Sequence, residues 1–373
     1  MKILLIPDSF KGSASSKEVI DALKNGFNRL DAEVSLHAVV ASDGGEGFLD
    51  AIENQFSVET IWHDSLDPIG RPIETYYLLD QENRTAYIEL AKAAGLDLLT
   101  FSEQNPMMTT TAGTGMQILH AINKGAIKIF VGLGGSATND GGIGLATVLG
   151  YQFLDSAGSP ILPIGGRLGH IEEIQGSFEY EHLQIIGVND VVNPLFGKNG
   201  AAYTYARQKG ASDKEIEILD QGLRNLASVV EKHSDLNHVD FKGAGAAGGV
   251  GYGLKTFCNA DLISGTDFLF RMTSLKSFIE SQKIDVIITG EGRIDEQTLQ
   301  GKLIQGILEL TKDTGIKVVA ICGQLDISEG DYKKVGLHYV TTIADENTPI
   351  KLSMEKALYY IEQLPAKLYS VLT

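Results

Sequence analysis

The sequence predicts an α/β protein of two domains, in which both chain ends build one parallel sheet and the middle is inserted as a second domain. The first observation is length, because 373 residues exceed the roughly 150 residues typical of one domain. The second is that residues 1–55 and 281–373 share short apolar strands alternating with helices, a pattern typical of parallel sheets. The third is that residues 56–280 open with an antiparallel meander. We therefore predict a discontinuous domain at 1–55 and 281–373, and an inserted domain at 56–280.

The beginning of the chain has the pattern of a β-α-β unit. Residues 2–7 form a continuous apolar run, which is typical of a strand buried on both faces. The capping box Ser15-x-x-Glu18 predicts the start of a helix, and residues 34–40 alternate as a second strand. A right-handed crossover makes these two strands parallel neighbours.

The C-terminal third repeats this pattern. Its apolar runs predict strands at 285–289, 317–322 and 339–343, with helices at 303–310 and 353–364, the last of which is expected to stop at Pro365. Together with the first two strands they make a doubly wound parallel sheet, for which we predict the order 2-1-3-4-5. The alternative of two sequential domains would leave the N-terminal unit with too few strands to cover both faces.

The inserted segment predicts a mixed sheet. Alternating strands at 58–62, 73–79 and 85–90 are separated by turn-forming sequences, as in an antiparallel meander. A buried strand follows at 127–133, and a second capping box, Ser212-x-x-Glu215, predicts a long helix.

Composition excludes several classes of function. The formal charge of −17 repels phosphate backbones and anionic lipid, so neither nucleic acid nor a membrane is an expected partner. Cys258 and Cys322 lie far apart without a CxxC pattern, which fits a reducing compartment. The eight histidines form no zinc motif. The first apolar run meets Asp8 too early for a signal peptide, so we expect a cytoplasmic protein.

Glycine is the informative excess, with 42 glycines against nine prolines. Residues 8–13, 42–47 and 290–295 each follow a predicted parallel strand and combine glycine with a carboxylate. Because ligands bind at the carboxyl ends of parallel strands, these three loops predict a binding site.

Two glycine-rich loops of the inserted segment, 109–115 and 132–142, precede helical patterns. Successive backbone N–H groups leading into a helix can cradle phosphate oxygens. For the first loop, a long turn with helix caps is an equally good interpretation. For the second, the many glycines around Ser136, Asn139 and Asp140 favour the cradle.

A third run, 243–248, matches the GxGxxG expression of dinucleotide-binding proteins. That motif requires a buried strand before it and an acidic residue about 20 positions later. Here a charged, irregular stretch precedes the run and Asp261 comes too early, so we do not expect a dinucleotide there. A Walker A motif is also absent from the sequence.

Several long motifs together resemble the glycerate kinases of bacterial type (type 1). They occur in the family's order across the whole chain, as MKILLIPDSFKGS, ASDGGEG, TAGTG, GLGGSATNDGG, NDVVNPLFGKNGAA, QKGA, GAGAAGG and ITGEGRIDEQTLQGK. The resemblance implies phosphorylation of D-glycerate by ATP with Mg²⁺. It also implies a flavodoxin-like domain made of both chain ends that carries an inserted mixed α/β domain. One departure is Leu303, where the family often has proline after Gly-Lys, and it affects only a helix start.

A kinase of this kind needs carboxylates for the substrate hydroxyl and Mg²⁺, and cations for the phosphoryl group and the substrate carboxylate. The candidate catalytic residues are Lys11, Asp43, Asp190 and Asp295, of which Asp190 and Asp295 are also the candidate Mg²⁺ ligands. The candidate substrate- and phosphate-binding residues are Asp8, Ser9, Gly12, Gly44, Gly45, Glu46, Gly134, Gly135, Ser136, Asn139, Glu291 and Arg293. The sequence does not divide general base from metal ligand.

Two other functions stay open on the sequence alone. The GxGxxG match allows an NAD-dependent oxidoreductase acting on a small hydroxy acid, and the same loops would suit a non-catalytic sensor of a small anion. We expect D-glycerate and ATP as small-molecule partners and a monomer or homodimer. The sequence does not indicate whether the 2- or the 3-hydroxyl is phosphorylated, or which pathway the protein serves.

Overall fold

The structure, a computed structural model, describes every residue except 11, 31–32, 42–44, 46, 54, 181, 234–240, 296–301 and 346. Within the described residues the strands are β1 (Lys2–Leu5), β2 (Ser35–Ala38), β3 (Glu59–Leu66), β4 (Pro72–Asp80), β5 (Thr85–Glu89), β6 (Lys128–Gly132), β7 (Gln152–Leu154), β8 (Glu173–Gln175), β9 (Gln184–Val188), β10 (Asp261–Ile263), β11 (Val286–Ile294), β12 (Lys317–Leu325) and β13 (Tyr339–Thr342). The helices are α1 (Ser16–Asn28), α2 (Phe48–Glu53), α3 (Ala91–Ala94), α4 (Ala112–Asn123), α5 (Ile143–Val148), α6 (Asp213–His233), α7 (Ala246–Cys258), α8 (Gly265–Met272), α9 (Leu275–Gln282), α10 (Lys302–Leu310), α11 (Glu329–Lys334), α12 (Ile350–Glu355) and α13 (Ala357–Leu372). The predicted α/β class is confirmed.

The chain divides into two units, which we call unit 1 (Met1–Ser42 and Thr266–Thr373) and unit 2 (Asp43–Gly265). α2 belongs to unit 2, where the backbone N–H of Leu49 donates to Glu89 Oε2 at 3.3 Å. α9 belongs to unit 1, where Leu275 and Ile279 pack in one apolar cluster with the β11 residue Ile287. The domain limits at 55/56 and 280/281 stay a prediction.

Unit 1 is built on a five-stranded parallel sheet with the order β13-β12-β11-β1-β2. β1 lies between β11 and β2, with Ile3 opposite Val286 on one side and Leu36 on the other. Its residues alternate between two apolar clusters: Ile3 and Leu5 pack with residues of α1 and α13, and Leu4 packs with residues of α9 and α10. The sheet is therefore covered by helices on both faces, which explains the uninterrupted apolar run of β1.

Unit 2 contains a six-stranded mixed sheet with the order β10-β9-β6-β5-β4-β3 and a two-stranded sheet of β7 and β8. The predicted meander is present, because β3-β4-β5 are antiparallel neighbours. β5 also pairs with β6 on its other side, and the four strands β5, β6, β9 and β10 run parallel to one another. Their carboxyl ends therefore lie along one edge of the sheet.

The helix starts predicted from the two capping boxes are confirmed. At α1, Ser15 Oγ accepts from the N–H of Glu18, and the Glu18 carboxylate accepts from the N–H of Ser15 at 2.8 Å. At α6, the N–H of Ser212 donates to Glu215 Oε2 at 2.8 Å and its hydroxyl donates at 2.6 Å. These contacts supply partners for donors that a helix start otherwise leaves unpaired.

The predicted end of the last helix is wrong. α13 does not stop at Pro365 but continues to Leu372 with the proline inside it. Leu368 and Leu372 are buried in the same cluster as β1, and this burial outweighs the hydrogen bond that proline removes. The proline ring also has space, because the residue of α1 that faces it is Gly26, which has no side chain. A Cβ at Gly26 would lie 2.6 Å from Pro365 Cγ.

Candidate functional site

Polar loops follow the carboxyl ends of the parallel strands of unit 2. Glu89 of β5 lies opposite Gly132 of β6, which in turn lies opposite Val188 of β9. The N–H of Leu133 donates to Val188 O at 3.0 Å, so the chain leaves β6 and β9 at the same level. Loops 134–142 and 189–190 consequently begin side by side, at the edge where parallel sheets bind ligands.

The first part of loop 134–142 is anchored through Gly135 and Ala137. Gly135 O accepts from the N–H of Leu96 at 2.9 Å, and the N–H of Ala137 donates to Ala94 O at 2.8 Å. The Thr109 hydroxyl donates to Ala137 O at 3.0 Å. Neighbouring backbone and one buried threonine therefore fix the conformation of this segment.

The N–H groups of Gly134, Gly135 and Ser136 form a row of donors in this fixed segment. Among the hydrogen bonds within the described part of the chain, none has one of these three groups as its donor. Three successive backbone N–H groups, with the Ser136 hydroxyl beside them, are a donor set for an anionic oxygen.

Asp140, later in the same loop, is fully buried and joins two helix starts. Its carboxylate accepts from the N–H and hydroxyl of Thr111, both at 2.8 Å, and from the N–H groups of Gly142 at 3.0 Å and Gly144 at 3.2 Å. The Thr111 hydroxyl accepts from the N–H of Leu145 at 3.0 Å, which directs its own proton to Asp140.

Burial raises the pKa of Asp140, and the hydrogen bonds from Thr111, Gly142 and Gly144 oppose that rise. Because every partner donates, the geometry favours the ionised carboxylate. The N–H groups of Gly142 and Gly144 are thus occupied within the protein. The cradle that the sequence predicts over 132–142 therefore loses the N–H of Gly142 as a donor to a ligand, whereas the N–H groups of Gly134, Gly135 and Ser136 have no acceptor among the described residues.

Lys209 is a second buried charge beside this loop, with a relative exposure of 3%. Its Nζ donates to Ser136 Oγ at 2.7 Å and to Thr138 O at 2.8 Å. Burial lowers the pKa of Lys209 to about 7, while the charge of Asp140 opposes that fall. The loop is therefore held by a cation on one side and contains an anion on the other.

The GxGxxG run lies against both polar loops. A Cβ at Gly243 would lie 3.2 Å from the side-chain amide of Asn189, and one at Gly248 would lie 2.0 Å from Thr138 O. Ala247 and Gly248 have φ values of +53° and +71°, in the left-handed region that favours glycine. The glycines of this run therefore allow its backbone to pack directly against Asn189 and loop 134–142. This packing agrees with the sequence argument that the run does not bind a dinucleotide.

Gly45, a residue of the predicted loop 42–47, lies against loop 134–142. A Cβ at Gly134 would lie 2.1 Å from the Cα of Gly45, so the two glycines allow direct backbone contact. The other candidates of this loop, Asp43, Gly44 and Glu46, lie outside the described residues.

Asp190 follows β9 and is half-buried. The Oδ1 of the preceding residue, Asn189, is buried and has no hydrogen-bond partner among the described residues, and the same is true of both side-chain polar atoms of Asn139. Carboxylate and amide oxygens are ligands that Mg²⁺ prefers. Within the described ranges no three His, Cys, Asp or Glu side chains gather into a metal site. An ion shared between one or two carboxylates and bound phosphates, the common arrangement for Mg²⁺, fits this donor set.

Unit 1 has a polar edge of its own. The N–H of Asp8 donates to Gly290 O at 2.8 Å, and Asp8 Oδ1 accepts from the N–H of Ser9 at 2.6 Å. The residues after β1 therefore lie beside the middle of β11. The turn that follows is closed by two bonds between Phe10 and Ala14, of 2.8 and 3.0 Å, with Gly12 at φ +74°. Lys11 lies outside the described residues.

The prediction that residues 290–295 form a loop is wrong for most of its length. β11 continues to Ile294 and pairs with β12 as far as Leu325, and the strand predicted to end at 322 is longer for the same reason. Ile294 is completely buried in the apolar cluster that contains Leu4, and this burial holds the extended end in place. The glycines at 290 and 292 do not interrupt the strand.

The longer strand changes the arrangement of the candidate charges. Glu291 and Arg293 are two residues apart on a strand, so their side chains leave the same face. Arg293 Nε lies 2.6 Å from Asp326 Oδ2 and 3.7 Å from Asp295 Oδ2. Arg293 is thus a cation with carboxylates beside it, at an exposed position.

The described candidates fall into two sets. Unit 1 carries Asp8, Ser9, Gly12, Glu291, Arg293 and Asp295. Unit 2 carries Gly45, Gly134, Gly135, Ser136, Asn139 and Asp190. Within unit 2, the loops at Gly45, Gly134 and Asp190 are contiguous.

Sequence reasoning missed three buried polar residues that hold these loops, Ser16, Glu89 and Lys209, and it named Asp140 only as a member of the cradle. Ser16 accepts from the N–H of Ala41 at 3.1 Å and donates to Pro7 O at 2.7 Å, and so ties the ends of β1 and β2 to α1. A signal existed for Lys209, which lies in the motif QKGA to which we assign no role. Charged residues are rarely buried, and no local pattern distinguishes the exceptions.

The chain is similar to known proteins along almost its whole length. A model described as "Glycerate kinase family" matches residues 3–373. The chain belongs to the glycerate kinase family. It is 36% identical over 366 residues to a glycerate kinase of Bacillus subtilis strain 168, covering 97% of this chain and 95% of the relative. It is 37% identical over 348 residues to the glycerate 2-kinase of Escherichia coli K12, covering 92% and 90%. A crystal structure of a candidate glycerate kinase 2 from Salmonella typhimurium LT2 has a TM-score of 0.80, 33% identity, and coverage of 99% and 98%.

These similarities confirm the predicted family and function, a glycerate kinase of the phosphotransferase class, and do not favour the oxidoreductase or the anion sensor. A kinase family implies the use of ATP. In the part of the chain that the structure describes, no helix is long and apolar enough to cross a membrane.

Proposed function

We propose that the chain transfers the γ-phosphoryl group of ATP to the 2-hydroxyl of D-glycerate, forming 2-phosphoglycerate and ADP. The family supports the substrate class, and the name of the E. coli relative, glycerate 2-kinase, supports the position.

The observation that carries the proposal is the row of N–H groups of Gly134, Gly135 and Ser136 at the carboxyl edge of unit 2. A chain of charge −17 repels phosphate as a whole, so a phosphate site needs a local group of donors, and successive backbone N–H groups supply one. The row is fixed before any ligand binds, so ordering it costs little during the reaction.

In this proposal, Lys11 stabilises the charge of the phosphoryl group and Asp43 accepts the proton of the substrate hydroxyl. Arg293 binds the carboxylate of glycerate, with Asp8, Ser9 and Glu291 as the polar groups of the same edge. Arginine suits this role because its planar fork matches two carboxylate oxygens.

Mg²⁺ would neutralise phosphate charge when bound. We propose Asp190 of unit 2 as its main ligand, with the Oδ1 of Asn189, which has no partner among the described residues, beside it. Asp295 of unit 1 stays a candidate ligand from the sequence. Gly12, Gly44, Gly45, Glu46 and Asn139 complete the proposed phosphate- and substrate-binding loops.

We also propose that unit 1 is a flavodoxin-like doubly wound domain into which unit 2 is inserted. The observed strand order supports this, since renumbering the five strands within unit 1 alone reads 2-1-3-4-5 from one edge. The discontinuous range of unit 1 supports it as well. The cytoplasmic location and the monomeric or homodimeric state stay predictions.

The proposal is tested by incubating the protein with ATP, Mg²⁺ and either D- or L-glycerate, measuring ADP release and recording the phosphorus NMR spectrum of the product. We expect ADP with D-glycerate only, and the resonance of 2-phosphoglycerate. The 3-phosphoglycerate resonance would overturn the assigned hydroxyl alone. No ADP with either enantiomer would overturn the proposed function.

A further inference from the structure

The motif QKGA has no role in the function proposed above, yet it contains Lys209, whose side chain is enclosed in unit 2. Lys209 lies in a short 3-10 helix, Arg207–Lys209, and Gly210 follows in the left-handed region at φ +97°. A Cβ at Gly210 would lie 2.0 Å from Gln104 O. The glycine therefore lets the chain turn closely behind the lysine, and the lysine's Nζ is directed into loop 134–142.

We propose that Lys209 is a positioning residue that sets the Ser136 hydroxyl as a donor toward a bound anionic oxygen. This inference rests on the proposed function, because it assumes that Ser136 binds a phosphate or carboxylate of the substrates.

The argument begins with the chemistry of the pair. Burial lowers the pKa of Lys209 to about 7 and the charge of Asp140 opposes that fall. In its protonated form the lysine can only donate, so in the 2.7 Å contact Ser136 Oγ accepts. A serine hydroxyl has a single proton, and this contact leaves that proton available for another acceptor. Within the described residues no other hydrogen bond involves Ser136 Oγ. The hydroxyl therefore keeps a donor next to the unpaired N–H of its own residue and those of Gly134 and Gly135.

The second contact of Lys209 fixes the loop itself. Nζ also donates to Thr138 O at 2.8 Å, so one ammonium spans the loop from residue 136 to residue 138. Asp140, two residues further on, favours the charged form of Lys209. A neutral side chain of the same length would fill the space but would no longer direct the Ser136 proton.

The ligand is defined here by its chemistry, an anionic oxygen, which either ATP or glycerate can supply. The variants Lys209→Met and Ser136→Ala and the double variant separate these sources. For Lys209→Met we expect a rise of roughly tenfold or more in one KM, because hydrogen bonds to charged groups are of that size. A rise in KM for ATP identifies a phosphate, and a rise in KM for glycerate identifies its carboxylate.

The double variant distinguishes positioning from a merely structural role. If Lys209 acts through Ser136, then Lys209→Met raises that KM no further once Ser136 is alanine. Lys214→Met, which removes an exposed lysine on α6, is the control and should leave both KM values unchanged.

Two results would overturn the inference. One is a Lys209→Met protein whose KM values for ATP and glycerate are both unchanged. The other is a Lys209→Met change that raises the KM as much in the Ser136→Ala background as in the wild-type protein. Should Lys209→Met fail to fold, Lys209→Gln is measured in the same cycle, and failure of both variants to fold would make the lysine a purely structural residue. If instead the wild-type protein releases no ADP, the proposed function fails first, which keeps the two failures distinct.

Discussion

The charged side chains at the polar edges of unit 1 and unit 2 differ in their exposure and in their partners. In unit 1, Arg293 is 60% exposed and faces Asp326, which is 45% exposed. In unit 2, Asp140 and Lys209 are buried, and their partners are backbone groups, hydroxyls and each other's charge. An exposed ion pair adds little stability because water screens it. A buried charge is costly unless every partner is present. We infer that Asp140 and Lys209 maintain the shape of loop 134–142, whereas Arg293 is exposed at the edge where we propose that it binds substrate.

The largest expected difference comes from removing one carboxylate at each edge. Asp140→Ala leaves the N–H groups of Thr111, Gly142 and Gly144 buried without an acceptor, so we expect a loss of about 3–5 kcal/mol in the free energy of unfolding. The matched change in unit 1, Asp326→Ala, should cost less than about 1 kcal/mol. Denaturant unfolding measures both. Equal losses would contradict the distinction between the two edges.

The next prediction concerns the backbone that supports the loop. Gly248 has φ +71° and its Cβ would collide with Thr138 O, whereas Gly158, at φ +74°, has no atom within 4 Å of a Cβ. Gly158→Ala should therefore cost only the left-handed strain of about 1 kcal/mol. Gly248→Ala should cost about 3 kcal/mol or more and also raise the KM for ATP, since it displaces the loop. A Gly248→Ala protein as stable as Gly158→Ala would show that the loop tolerates movement.

A smaller effect is expected from pH. In unit 2, His63 and His120 stack with ring centroids 4.6 Å apart, and burial lowers the pKa of both. In unit 1, burial also lowers the pKa of His338, with Lys317 and Lys333 contributing. Because the folded pKa lies below the unfolded value of about 6.5, protonation favours the unfolded chain. Stability is kept above that value and is lost as pH falls through the folded pKa.

We expect a loss on the order of 1 kcal/mol between pH of about 7.5 and 5.5, since these partly exposed groups are screened by solvent. Unfolding at both pH values should show that His63→Gln with His120→Gln removes more of this dependence than His338→Gln. The opposite ranking would place the acid sensitivity in unit 1.

The sequence predicted regular elements well where one force dominates. The strands β1 and β11 depend on burial of a continuous apolar run, and the helix start at Ser15 depends on capping. Both signals can be read from neighbouring residues in the sequence. The predicted ends of a helix at Pro365 and of a strand at Gly290 were wrong. At both places the burial of later residues, Leu368 and Ile294, outweighs the local tendency of proline or glycine to end the element. The sequence indicated the glycine loops but not what holds them, because Glu89, Asp140 and Lys209 resemble surface charges until the fold encloses them. That the N–H of Gly142 is already bound within the protein could be seen only from the partners of Asp140.

The central claim is that the N–H groups of Gly134, Gly135 and Ser136 bind the phosphate of ATP. It is tested most directly by following the amide NMR resonances of these residues in the wild-type protein as a non-hydrolysable ATP analogue with Mg²⁺ is added. The account predicts that the three resonances shift together and saturate with the same dissociation constant as ligand binding measured by calorimetry. The amides of Gly142 and Gly144, which are bound to Asp140, should shift less. Saturable binding that leaves Gly134, Gly135 and Ser136 unchanged would contradict the account.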